Sequence, residues 1–287
     1  MNYTFQNQLT YPSKNLFAES VSNLFNKDSL LTQKTTFLRP FEQISLLSDV
    51  TNVLYLNWLV PYENVLHLVP PKLKLKKWGK YTILTILTYN HGNFRPQPLN
   101  FMKSLFPSPL QSNWRLYLET NEVIPCAKST CFFLKNVLNA RLHTFGSRLF
   151  GDILQAHYPL KFIYAIQPDN YTISIQQGLS NAPDLDVVCS KTVDFNFSDE
   201  WDNIFSSVEE ALKTICLQEY AVADLQLPAF AVASIELPIA IETIKPLQVN
   251  SLKSHWLVEN SVFGMPFAFL LPSVRFKTIS ETKIPNT

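Results

Sequence analysis

Only six glycines occur in 287 residues, and charged side chains make up 16% of the chain. The scarcity of glycine is matched by the absence of G-x-x-x-x-G-K-[ST], so no phosphate-cradling loop is available. There is no G-x-S-x-G elbow to present a serine nucleophile. A formal net charge of +1, with no basic block beyond Lys72–Lys80, argues against nucleic acid as a partner. The lysines of that block alternate with Leu73 and Leu75, the pattern of a solvated strand edge that resists unwanted pairing.

The four cysteines, Cys126, Cys131, Cys189 and Cys216, contain no C-x-x-C pair, which excludes the usual structural zinc spacing. They read as buried thiols in a reducing compartment. His143 and His157 are the closest histidines and a predicted helix lies between them, so no metal site and no other cofactor is expected. The N-terminus has neither a basic n-region nor an apolar core, so no secretion signal is expected. Prolines at 228, 238, 266 and 272 and Glu236 break the most apolar stretches, 227–241 and 263–274. Both therefore fall short of the roughly 18 unbroken apolar residues of a membrane span. The expected setting is cytoplasmic, with no membrane and no nucleic acid; a small-molecule ligand and homo-oligomerisation stay open.

What the chain does have is apolar and aromatic mass: 46% hydrophobic residues, with 21 Phe and 11 Tyr. Aromatic and β-branched residues suit pleated, half-buried surfaces. Residues 81–89 (YTILTILTY) form a strong strand pattern, and 113–119 (NWRLYLE) alternate cleanly. Further strands are predicted over 130–135, 162–167, 171–177, 187–197, 230–237, 239–244 and 267–276. Helices are few. Leu16, Phe17, Val21, Leu24 and Phe25 share a helical face with Ser13 as a cap. Phe145, Leu149 and Ile153 stack at four-residue spacing. Phe205, Val208, Leu212 and Ile215 follow a capping box at Ser206-x-x-Glu209. Many strands with little helix between them predict a mainly β, α+β fold built on antiparallel sheet. The predicted organisation is a partly helical N-terminal extension over 1–36 and a single β-rich domain over 37–287.

A resemblance rests on the order of several segments: Val53-Leu-Tyr-Leu-Asn-Trp58, Pro61-x-x-x-Val65, Val69-Pro70, the strand at Tyr81, Asn113-Trp-Arg-Leu-Tyr-Leu118, and Ala140-Arg-Leu-x-x-x-x-Ser147-Arg148 ahead of Tyr158. This order resembles the YqjF-like family of uncharacterised proteins, which looks like a branch of the acetoacetate decarboxylase-like superfamily. The resemblance covers roughly 37–276 and implies a large antiparallel β-barrel or cone with a central pocket and a few short helices. The decarboxylases of that superfamily carry G-R-E-x-x-G-x-P-K-K, in which one lysine forms a Schiff base and a cationic neighbour lowers its pKa. Here Arg148 and Gly151 can be matched, but the lysine pair falls on Leu154 and Gln155. The nucleophile is missing, so the resemblance does not carry decarboxylation to this chain.

The most informative polar set is Asn113, Arg115, Tyr117 and Glu119, which share one face of a strand whose other face carries Trp114, Leu116 and Leu118. Either that polar face meets solvent or it lines a pocket, with Arg115 as a fork for a carboxylate and Glu119 as its nearest partner. Arg148 and His157 join the candidate pocket through the matched motif. No catalytic residue can be assigned. The leading expectation is a protein that binds a small, carboxylate-bearing molecule without Schiff-base chemistry. An alternative is a non-covalent lyase, isomerase or hydrolase acting on a small oxo acid or enol. It would hold a carboxylate on Arg115 or Arg148 and move protons through Glu119, His157 or Tyr117. A structural or interaction protein is the third reading.

Overall fold

The structure is a computed structural model that describes residues 3, 5–14, 16–27, 45–120, 129–225 and 229–285, with the side chains of 16–18 left aside. Among the described residues strand accounts for 44% and helix for 22%, which makes the fold α+β with sheet predominant. The strands are β1 (Leu46–Pro61), β2 (Tyr81–Asn90), β3 (Arg95–Pro96), β4 (Leu110–Leu118), β5 (Thr130–Leu138), β6 (Ala156–His157), β7 (Lys161–Ile166), β8 (Asn170–Gln176), β9 (Leu185–Lys191), β10 (Tyr220–Asp224), β11 (Ala229–Glu236), β12 (Lys245–Lys253) and β13 (Phe267–Pro285). Among the described residues no helix is long and apolar enough to cross a membrane.

Seven strands close on themselves. The pairings run β1-β2-β4-β5-β10-β11-β13, and β13 pairs again with β1. Neighbours are antiparallel except that β10 and the short β6 run parallel to β5. From β13 the sheet continues through β12, β9, β8 and β7. Closure demands that β1 and β13 be long, and both are: β1 offers Leu54–Pro61 to β2 and Leu47–Asn57 to β13. A bulge between Thr51 and Leu54 lets β1 bend between its partners. Asn52 sits there at φ 51°, a conformation that asparagine tolerates better than most residues.

Because the ring closes, its strands have an inside and an outside, and both are buried. On β1, Leu54, Leu56, Trp58 and Val60 join one apolar cluster, while Val53 and Tyr55 join another. The first cluster takes in Phe162, Ile173, Val187 and Val249 from the β7-β8-β9-β12 layer. The second takes in the helix Val208–Cys216 through Leu212 and Ile215. At one end the second cluster is stoppered by aromatic rings: Trp201 and Phe197 lie 5.4 and 5.3 Å from Phe267, which lies 5.5 Å from Phe269. Offset and edge-on ring pairs at such distances add to the burial itself.

Several expectations shift by a few residues. Residues 239–244 form no strand but an irregular stretch with a 3-10 turn at Ile241–Thr243. β9 ends at Lys191, so 192–197 are not strand, and the short β10 and the more polar β12 carried no strong sequence pattern. The helix cap is Ser207, whose Oγ accepts from the Glu210 amide; Ser206 instead binds the Glu210 carboxylate. The helix Leu16–Phe25 folds back on residues 9–11, with the Asn26 side chain bonding both the amide and the carbonyl of Leu9. The expected boundary at 36/37 lies outside the described residues.

One close approach fixes the start of the ring. Gly92 packs so tightly on β1 that a Cβ there would lie 2.3 Å from the Asp49 carbonyl oxygen. The clash is with backbone, so it cannot be relieved by a rotamer change. Gly92→Ala should cost about 1–3 kcal/mol in urea unfolding; an unchanged midpoint would show that this contact does not hold β1 in place.

Candidate functional site

Six of the seven ring strands (β1, β2, β4, β5, β11 and β13) send side chains to one cavity of about 60 Å³. Residues from opposite sides of a ring can meet only inside it, so this is the interior. Register locates the cavity along the axis. Asn57, Thr85 and Arg115 occupy one row across β1, β2 and β4, and Asn57 pairs with Phe267 of the aromatic stopper. The next rows away from the stopper hold Tyr55, Leu87 and Asn113, then Tyr89 and Gln111. Arg115 therefore forms the floor of the cavity, and Asn113 and Gln111 line its wall.

The Arg115 guanidinium is buried, with 4% of the residue exposed. Its Nη2 donates to the Ile215 carbonyl at 2.8 Å, and its carbon lies 5.8 and 5.6 Å from the ring centres of Tyr55 and Tyr117. Ile215 stands at the end of the helix Val208–Cys216, where carbonyls lack helical partners and the helix dipole is negative. Partial charge and ring faces are what hold this cation; among the described residues no carboxylate does. Its Nε has no partner. Burial opposes the charge, but the surrounding Tyr117, Cys131 and Tyr55 leave the guanidinium pKa raised, so Arg115 is charged.

A hydrogen-bond string fixes the wall. Ser48 Oγ and Gln111 Oε1 each lie 2.7 Å from a ring nitrogen of His91. Gln111 and Asn113 both donate to Asn136 Oδ1, at 3.1 and 2.8 Å. An amide oxygen cannot donate, so His91 carries its proton on Nε2 and accepts from Ser48. Asn113 Oδ1 is left without a partner. Among the described residues the cavity thus presents an unpaired donor, Arg115 Nε, and an unpaired acceptor, Asn113 Oδ1, within a wall that is otherwise largely apolar. Burial lowers the His91 pKa to about 4 and raises those of Tyr55 and Tyr89. At neutral pH Arg115 is the charged group of the lining.

The six expected pocket residues do not come together. Asn113 and Arg115 line the cavity. Tyr117 lies beneath it, with its hydroxyl 2.8 Å from Thr85 Oγ1 and 3.2 Å from the Ile215 carbonyl. Glu119 lies past the end of β4 and pairs with Lys74, so the expected Arg115–Glu119 pair does not form. Arg148 and His157 are also elsewhere. His157 sits on β6, which pairs with β5 in the register Val137↔His157, and Arg148 lies in the last turn of the helix Arg141–Phe150. Asn136 faces the cavity side, so its neighbours Lys135 and Val137, and His157 with them, face outward. His91, Gln111, Tyr55 and Tyr89 were not foreseen. Their only sequence signal is a place on the same alternating face as Arg115, which becomes visible once strand order is known. Leu154, which takes one of the matched lysine positions, lines the cavity; Gln155 turns away to bond Asp152 and Arg148.

No family model matches the sequence, and no curated protein does. Solved structures do. The fold resembles that of acetoacetate decarboxylase-like enzymes. An acetoacetate decarboxylase-like enzyme from Sphingomonas wittichii RW1 aligns over 88% of this chain and 98% of its own, at 7% identity and a TM-score of 0.56. Acetoacetate decarboxylase from Legionella pneumophila aligns over 83% and 86%, at 8% identity and a TM-score of 0.56. The enduracididine biosynthesis enzyme MppR, in its complex with pyruvate, aligns over 85% and 91%, at 5% identity and a TM-score of 0.54. At such identities the likeness is one of fold.

Two measurements follow. Arg115→Met should leave stability unchanged or raise it by about 1–3 kcal/mol, because it removes a buried charge without stranding an anion. A loss of several kcal/mol on chemical denaturation would mean that an acid does pair with Arg115. The second concerns His91. Its folded pKa of about 4 lies below the ordinary 6.5, so the unfolded chain takes up the proton first. The associated stability is fully present above pH 6.5 and is lost as pH falls towards 4; the gap corresponds to about 3 kcal/mol. His91→Gln should flatten the pH 7 to pH 4 stability curve by an amount of that order, and an unaltered curve would contradict the buried neutral ring.

Proposed function

We propose that this protein binds a small carboxylate-bearing molecule at the centre of a β-barrel, on Arg115, without Schiff-base chemistry. The observation that carries this is the buried, charged Arg115, which among the described residues has an unpaired Nε and no carboxylate partner, with the unpaired Asn113 Oδ1 lining the same cavity. A lone buried cation costs several kcal/mol unless something offsets it, and a ligand carboxylate would do so while desolvated from water. Asn113 Oδ1 would accept from a hydroxyl, enol or amide on the same molecule. A small 2-oxo acid able to enolise, or a hydroxy acid, fits both groups and the volume. Among the fold neighbours, MppR has been seen with pyruvate, which supports the class of ligand.

Binding is favoured over proton-transfer catalysis because the described residues of the lining include no lysine or carboxylate, and its histidine is held neutral. We read the chain as a YqjF-like branch of the superfamily on its motif order, and residues 1–36 as an extension of one domain.

Calorimetric titration with pyruvate and acetoacetate tests this directly. A charge-assisted hydrogen bond contributes about 1.5–3 kcal/mol, so Arg115→Met should weaken binding by about 10- to 100-fold while the fold stays intact. Binding that survives this change, or no carboxylate that binds the wild-type chain, overturns the proposal. Borohydride with acetoacetate should leave the mass of the protein unchanged; a stoichiometric lysine adduct would refute the non-covalent part.

A further inference from the structure

Across β5 from the cavity lies a second group of buried bases, independent of the Arg115 site. Lys135, Arg148 and His157 are 4%, 6% and 0% exposed. Among the described residues neither cation has an ion-pair partner. What they have is backbone. Lys135 Nζ donates to the Gln6 carbonyl, and Arg148 Nη2 donates to the Asn7 carbonyl at 2.7 Å. Arg148 Nε donates to the Ala156 carbonyl at 2.6 Å, and Nη1 reaches Gln155 Oε1 only at 3.4 Å. Both ring nitrogens of His157 are buried without any partner. The acid that the same N-terminal segment covers, Asp224, is engaged by the Tyr3 hydroxyl.

This is an unusual way to bury positive charge. Burial lowers the Lys135 pKa to about 7, with Arg148 adding to the effect, and lowers that of Arg148 to about 9. His157 is pushed well below its ordinary range by burial and by the two cations. Carbonyl dipoles offset only part of two buried charges, and an oxyanion would offset more. The groups that stand where an oxyanion would are two consecutive carbonyls of one segment, residues 6 and 7. Apart from the two cations, that segment is held by polar side chains and by burial of Asn7, Leu9 and Tyr11: Asn7 donates to the Asp224 carbonyl, Asn181 to the Gln8 carbonyl, the Asn26 side chain bonds Leu9, and the Tyr11 amide donates to Ser22.

We propose that Lys135, Arg148 and His157 form an oxyanion site on the outer face of the ring, and that residues 5–9 are a strap whose carbonyls occupy it until a small oxyanion displaces them. A carboxylate, phosphate or sulfate would take both cations and give the His157 ring a partner. The strap makes binding conditional, because the competent state is the one in which it has lifted, and apparent affinity scales with that fraction.

The full chain is titrated with inorganic phosphate against sodium chloride at matched ionic strength, while hydrogen exchange is followed at the Leu9 and Tyr11 amides, which Asn26 and Ser22 protect. Exchange should rise saturably with phosphate and not with chloride. Lys135→Met should abolish the response. Leu9→Ser, which loosens the strap without touching the bases, should lower the phosphate midpoint by about tenfold. A wild-type chain with no saturable phosphate response, a response that persists in Lys135→Met, or a midpoint unmoved by Leu9→Ser overturns the proposal. Because each readout is local to the strap, failure here is separable from failure of the Arg115 site.

Discussion

The pairing of β1 with β13 is the contact on which the rest depends. It joins strands more than 200 residues apart over ten residue pairs, from Leu47↔Lys277 to Asn57↔Phe267. Without it the seven strands are a curved sheet with two exposed edges. With it they enclose a space, and everything inside must be satisfied by the ring itself. That is why Asn57, the last β1 partner, bonds the Phe267 carbonyl and accepts from Thr85. From there the polar row passes to Tyr117 and the end of the helix Val208–Cys216. One row of side chains ties the closing strands, the floor of the cavity and the helix terminus together. Buried polar groups are tolerable only when linked in this way.

The sequence was legible where local pattern decides structure. The alternation of Asn113, Arg115 and Tyr117 against Trp114, Leu116 and Leu118 assigns two faces to β4, and both faces exist. What alternation does not reveal is that both are buried. A polar face looks the same whether it meets water or a closed cavity, and only the closure by β13 separates the two cases. The same limit explains Glu119. It continues the odd-numbered pattern, but β4 ends at Leu118 and the Glu119 amide bonds the Lys74 carbonyl instead of the ladder. Arg148 and His157 were grouped with Arg115 through a linear motif, and linear distance carries no sense of which side of a strand a return segment takes. β6 joins the far edge of β5 in parallel, which turns them outward.

One of the two positions that the resemblance matches to the lysine pair illustrates a different point. Leu154 lies in the cavity with the cation of Arg115. An amine there would be desolvated and beside a positive charge, the two conditions that lower a lysine pKa and make it nucleophilic. At that place the conditions exist and the residue is leucine. A lysine that does meet both conditions is Lys135, beside Arg148 and across the sheet. Fold likeness alone would merge these two places, and strand register keeps them apart.

Arg115 and Lys135 show how much of the stability of this protein must come from elsewhere. Each is a buried cation on β4 or β5 without an ion-pair partner among the described residues, and each is held by carbonyls supplied from outside the sheet. For Arg115 the carbonyl comes from a helix end locked into the core through Leu212 and Ile215. For Lys135 it comes from a segment near the N-terminus that rests on the surface of the ring. The two supports differ in how easily they can be withdrawn. Pulling the helix end away would expose the second apolar cluster, at about 25 cal/mol for each Å² uncovered. Lifting residues 5–9 uncovers Asn7 and Leu9 and breaks the bonds of Asn7 to the Asp224 carbonyl and of Asn181 to the Gln8 carbonyl. The same electrostatic problem is thus met inside the ring by a helix end locked into the core and outside it by two consecutive carbonyls of a short segment near the N-terminus.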